Sequence, residues 1–200
     1  MVAPGLKVKV VCAGCNNGWM SDLENRAKAI VEPLIDETTT LIDSEGRLIL
    51  AEWAVKTSMV FEALRSSGPY VFTEEERTLI RQSRGLPRFT TVWIAKCVGS
   101  SGPYCSASDL GGTVVGSDVD ASAYVTTMAF GPLAIQVLRA SVPGADSAKS
   151  ITADIRPGPW NDVAIRVWPT SRVAPWPPRV ALAGDEGLEA FAERWSPIRS

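Results

Sequence analysis

Cys12 and Cys15, two residues apart, carry the spacing in this 200-residue chain that points most directly to chemistry. A Cys-x-x-Cys pair can place both sulfurs on one metal ion, and structural zinc takes four such ligands. The only other thiols are Cys97 and Cys105, and there is no histidine. The chain therefore offers half of a zinc site. Cys97 and Cys105 could fold back to complete it, but the Gly99–Pro103 segment between them suits a hairpin better than a second knuckle. Cys97 reads more simply as a buried thiol on a strand. A redox dithiol is the other chemistry open to Cys12 and Cys15, and it lacks the βαβ context of thioredoxin-like motifs.

A second set is cationic. Arg77, Arg81, Arg84 and Arg88 are spaced by four, three and four, which sets them near one face of a helix as it exits. Such a stripe can neutralise nucleic-acid phosphates. The competing reading is a solvated face balanced by Glu74, Glu75 and Glu76. Gly111-Gly112-Thr113 and Gly116-Ser117 lack the Gly-Lys-Ser/Thr ending of a phosphate loop and read as turns. Asp118 and Asp120 could hold a cation, though two loop carboxylates usually hold only water. Ser-His-Asp and Cys-His catalysis are excluded by the missing histidine.

The elements that must position these residues follow from periodicity. Leu6, Val8 and Val10 alternate with lysines, as in a short strand. After the cysteines, Ser21 and Glu24 have capping-box spacing. The helix they open carries Leu23, Ala27, Ile30, Val31 and Leu34 on one stripe and Pro33 near its end. A second helix over Arg47 to Leu64 is apolar most of the way round, with Glu52 and Lys56 on a narrow polar strip, so it should be central. Thr73 and Glu76 form another capping box, and this third helix should stop at Gly85. Thr90 to Ala95, Ser122 to Phe130, Leu133 to Leu138 and Ile165 to Trp168 read as strands, the middle two joined at Gly131-Pro132. Asp154 to Asp162 and Thr170 to Arg179 are Pro-rich and extended. Asp185 to Trp195 is a last short helix. The class is α+β, with helices first and then a mostly antiparallel sheet. The expected units are 1–37, a strand–knuckle–helix, and 38–200, an α+β accessory domain packed with it.

Composition narrows the function. A net charge of −2 gives no general attraction to nucleic acid or anionic membranes, so any nucleic-acid contact must be a local patch. No apolar run approaches the length of a membrane span, and the first residues have no secretory h-region. A cytoplasmic, reducing compartment is the expectation. There a Cys-x-x-Cys is a metal knuckle or redox pair before it is a disulfide. The seven tryptophans could furnish an aromatic cleft, but are expected mainly to pack the sheet against the helices.

The run Cys12-x-x-Cys15-Asn16-Asn17-Gly18-Trp19-Met20-Ser21-x-Leu23-Glu24 resembles the second half of the metal-binding core of HNH-endonuclease-like proteins. The likeness continues more weakly through Trp53–Thr57, Val92–Ala95 and the Trp-Pro pairs at Trp168 and Trp176. The resemblance implies half of a ββα-metal or treble-clef unit, with zinc on Cys12 and Cys15 at low occupancy. Asn16 matches the last His or Asn position of the HNH name. Its alternative role, with Asn17, is turn chemistry before a helix, and Trp19 is expected to anchor the core. In the complete family form a further divalent metal such as magnesium assists phosphodiester hydrolysis. There the first Cys-x-x-Cys and the catalytic histidine lie upstream, whereas the eleven residues before Cys12 contain neither Cys nor His.

The expectation is therefore a truncated or degenerate HNH-endonuclease-like chain, inactive alone, with no catalytic residue of its own. DNA is one candidate partner, met through Arg77, Arg81, Arg84 and Arg88. A protein supplying the missing zinc ligands is another. The alternative is a non-catalytic binding or regulatory module in which the region from about Thr38 onward recognises a protein partner or ligand.

Overall fold

The computed structural model describes residues 11–65, 70–82, 85–113, 120–141, 159–170 and 172–195. The strand expected over Leu6–Val10 lies outside them. The chain is α+β. A helical turn, α1 (Ala13–Cys15), runs through a π-turn (Asn16–Met20) into α2 (Ser21–Ile35). β1 (Thr40–Ile42), α3 (Ser44–Ala63) and α4 (Glu74–Arg81) follow. The sheet strands are β2 (Thr90–Val98), β3 (Tyr104–Thr113), β4 (Asp120–Phe130), β5 (Leu133–Ser141) and β6 (Ala164–Trp168). Two short strands, β7 (Ala174–Trp176) and β8 (Leu182–Ala183), lead to α5 (Gly184–Glu193).

The main sheet has the order β3-β4-β5-β2-β6, with all of these pairs antiparallel; β8 runs parallel to the end of β2. Side chains alternate across it, as a strand's period of two requires. On one face Val92, Ile94, Tyr124, Met128, Ile135 and Val137 meet Leu50, Ala54 and Val55 of α3 and Leu34 of α2 in one core. On the other, Trp93, Ala95, Val125, Ala129 and Leu138 meet Leu188 and Phe191 of α5. All seven tryptophans belong to, or pack against, one of these two cores. β4 turns into β5 at Gly131, whose φ of +57° is a left-handed conformation that glycine adopts without steric cost.

Several expected boundaries are corrected. The Ser21–Glu24 capping box does not form: the residue before α2, Met20, is itself helical, so the backbone N–H groups continue the preceding turn. The strip of Glu52 and Lys56 on α3 is buried under α2, where Glu52 faces Arg26 at 3.8 Å and Lys56 bonds Glu24 at 2.7 Å. The capping box at Thr73 and Glu76 is present, but α4 stops at Arg81 with Gln82 as its C-cap, short of Gly85. Gly111 to Thr113 are the end of β3, paired with β4, and not a turn. Pro159–Asp162 is a 3-10 turn where extended chain was expected. Among the described residues no helix is long and apolar enough to cross a membrane.

Candidate functional site

Cys12 caps α1 from an extended conformation (φ −69°, ψ 153°). Its carbonyl accepts the Asn16 N–H at 3.0 Å, and its Sγ accepts the Cys15 N–H at 3.3 Å. Donors aimed at a sulfur favour the thiolate. The Cys12 pKa is accordingly lowered, first by the Cys15 backbone N–H, then by the Cys15 thiol, with a smaller contribution from the Arg81 guanidinium. Cys12 is exposed and Cys15 partly buried, and both are free thiols.

Trp19, within the turn, packs against the core to which α3 contributes. A cleft of about 290 Å³ opens between the turn, α3 and α4, with Cys12, Cys15, Trp19, Lys56, Arg77 and Arg81 on its walls. A wider one of about 1250 Å³ opens on the other side, where Asn16, Asn17, Lys28, Trp53, Lys56 and Phe130 face it. Lys56 contributes to both. It sits beside Glu52 on the polar strip of α3, and its ammonium is held by Glu24, 32 residues earlier.

The predicted arginine stripe separates. Arg77 lines the cleft, but its guanidinium donates to the fully buried Glu62 carboxylate at 2.5 Å and to the Met59 carbonyl at 3.3 Å. Its position is therefore structural as well. Arg81, the last residue of α4, is exposed and lines the same cleft. Arg88 lies beyond the helix, exposed on the approach to β2, because α4 ends earlier than expected. Arg84 lies outside the described residues. The acidic neighbours do not simply neutralise the stripe: Glu76 caps Thr73 and accepts Arg139 Nε at 2.9 Å.

Asn16 and Asn17 bond one another, Nδ2 to Oδ1 at 3.3 Å, on the exposed side of the turn. Trp19 is half-buried against the α3 core, and its indole N–H is buried without a partner among the described residues. Cys97 is buried on the α5 face of the sheet, its Sγ 3.7 Å from the Gly184 carbonyl. Cys105 lies on β3, buried enough for its pKa to be pushed up to about 11. Asp118 lies outside the described residues.

Zinc can be tested against these residues. Two thiols on one turn, one of them already favoured as thiolate, fit half of a tetrahedral sulfur site. Among the described residues no group of three or more His, Cys, Asp or Glu stands together to hold a metal ion. The pair does not complete a zinc site by itself. No protein family, curated protein or solved structure among those compared with the chain matches it.

Proposed function

We propose that the chain is an HNH-endonuclease-like protein that contacts nucleic-acid phosphates without cleaving them on its own. The observation that carries this reading is one cleft shared by the Cys12/Cys15 turn and the cations Lys56, Arg77 and Arg81. The same cleft also carries Glu74, and Lys56 and Arg77 are each paired to a carboxylate, so Arg81 is the cation this half zinc site would offer to a phosphodiester.

In the complete form, zinc would hold the knuckle through Cys12 and Cys15, with two further ligands contributed from outside the described residues or by a partner protein. A divalent ion such as magnesium, when bound in the complete form, supplies Lewis-acid chemistry at the scissile phosphate. The residues present do the remaining work. Arg81 offers an exposed guanidinium, Arg77 is held in place by Glu62, and Lys56 by Glu24. These 200 residues contain no histidine to deprotonate a water near neutral pH.

The test is fluorescence anisotropy with a labelled DNA duplex and a labelled single strand, at low and moderate salt. Weak binding that falls with salt and drops further in R81Q is expected, since each phosphate contact contributes to the salt slope. No binding to either probe at low salt would remove the nucleic-acid reading and favour a protein- or ligand-binding module. Sustained magnesium-dependent cleavage by the purified chain would overturn its inactivity.

A further inference from the structure

The α5 face of the sheet carries a second concave surface, distinct from the cysteine turn. Its floor is Trp93, only 2% exposed, whose indole N–H is buried without a partner among the described residues. Arg166 stands opposite Trp93 in the β2–β6 register and shares a face of β6 with Ala164, which packs in the α5 core. The Arg194 guanidinium lies over the Trp93 ring at 4.7 Å. Its Nε donates to Gln136 Oε1 at 2.6 Å, while both Nη groups are buried without partners among the described residues. Burial lowers the Arg194 pKa to about 9, which still leaves it charged at neutral pH.

Beside Trp93 opens a cleft of about 500 Å³, with Asn161, Arg166, Thr170 and Arg172 on its walls. The rim is anchored. The Thr170 carbonyl accepts Arg47 Nη1 at 2.6 Å, and the Thr170 hydroxyl accepts the Arg172 N–H at 3.2 Å. Among the described lining residues there is no Asp or Glu. Among the described ion pairs none includes Arg166, Arg172 or Arg194. Among the described residues, the Arg166, Arg172 and Arg194 guanidiniums thus stand near Trp93 with no carboxylate paired to them.

Such a set is rich in donors and poor in acceptors. A concave surface lined by charge of one sign concentrates its positive field. A guanidinium's planar fork matches the two oxygens of a carboxylate or phosphate. We propose that this cleft binds the anionic group of a small molecule, a phosphate ester or a carboxylate, through Arg166 and Arg172. Arg194 lies behind Trp93 and adds field without being exposed to the ligand. This site is independent of the nucleic-acid reading of the cysteine turn.

The experiment titrates the intact chain with inorganic phosphate and, separately, with citrate, at ionic strength held constant by sodium chloride. Heat of binding and the tryptophan indole N–H resonances are followed, with W93F assigning the Trp93 signal. Saturable binding of at least one anion is expected, with a shift of the Trp93 resonance. R166Q and R172Q should each weaken it about tenfold, the equivalent of one charge-assisted hydrogen bond. Both arginines are exposed, so unchanged thermal midpoints should accompany the loss. Phosphate alone saturating assigns the ligand as a phosphate ester, and citrate alone as a carboxylate. No saturation by either up to about 10 mM, the weak end of specific binding, would overturn the proposal. So would affinities unchanged in both variants.

Discussion

Lys56 Nζ lies 2.7 Å from Glu24 Oε1, joining the middle of α3 to the first turn of α2. The Lys56 side chain is 7% exposed and the Glu24 side chain 55%, so the two ends are unequal. Removing Glu24 strands a buried ammonium, whereas replacing Lys56 by an apolar residue of similar length leaves only a solvated carboxylate. E24A should therefore destabilise the chain more than K56M, by about 1–3 kcal/mol for the former. Urea unfolding of the two variants checks the order; equal losses would mean the pair is not the link between α2 and α3.

Glu62 is the most deeply placed carboxylate of the α3 face. Its side chain, 0% exposed, accepts the Val71 N–H at 2.6 Å and Arg77 at 2.5 Å. It ties the start of α4 and the segment before it to α3. E62A should cost about 1–3 kcal/mol, since it leaves the Val71 N–H without its acceptor while Arg77, 25% exposed at the cleft, can be rehydrated. R77M should cost more, about 3–5 kcal/mol, because it strands a carboxylate whose side chain is 0% exposed. Thermal unfolding followed by circular dichroism reads both.

The cysteines should differ in the pH at which they react. The Cys12 pKa is lowered by the Cys15 N–H, Cys97 is raised by burial, and Cys105 is pushed up to about 11 by burial. A lowered pKa means thiolate at lower pH, so Cys12 should alkylate first as pH rises, below the range of an ordinary thiol. Cys105 should resist until well above pH 9. The raised Cys105 pKa also adds stability that is present below the unfolded value and lost as pH climbs through about 11. Iodoacetamide labelling with peptide mapping across pH gives the order. Equal rates at Cys12 and Cys105 near pH 8 would contradict it.

Gln136 uses both ends of its amide. Nε2 donates to Thr127 Oγ1 at 2.7 Å and to the Phe191 carbonyl at 2.8 Å, and Oε1 accepts Arg194 Nε and Trp195 Nε1, each at 2.6 Å. A leucine there keeps the volume and leaves these partners orphaned. Q136L should destabilise by about 3 kcal/mol or more. Trp195 emission should shift to longer wavelength as the end of α5 loosens. An unchanged urea midpoint would show that α5 is held by its apolar contacts alone.

The parts of this fold legible in the sequence are those whose signals are local. β4 and β5 are apolar runs meeting at Gly131-Pro132, and α3 is apolar nearly all round, so strand and helix follow from each stretch by itself. β3 was not legible because it is an edge strand of small and polar residues, with Ser108, Asp109 and Gly111 exposed. Among its described residues only Tyr104 and Leu110 pack against the α5 core, which is too little alternation to read. β1 is illegible for a different reason: its three residues are strand only because they pair with Ala174–Trp176. Glu24 had the right spacing for a local cap and went instead to a lysine on another helix. The candidate site divides the same way. Cys-x-x-Cys could be read directly, while the approach of Lys56 and Arg81 to it depends on helix packing. The Trp93–Arg166–Arg194 cluster joins three elements and leaves no trace in any one of them.

The two-faced sheet has a consequence during synthesis. α2 and α3 precede every strand of the main sheet, so the face carrying Val92, Ile94 and Ile135 finds its cover already made. The opposite face waits. Once β5 has emerged, Trp93, Val125 and Leu138 stay open to water until α5 has been translated. At roughly 5–20 residues per second that interval lasts on the order of several seconds. During it the nascent sheet presents an apolar surface of the kind that chaperones recognise and that neighbouring chains on a polysome can share.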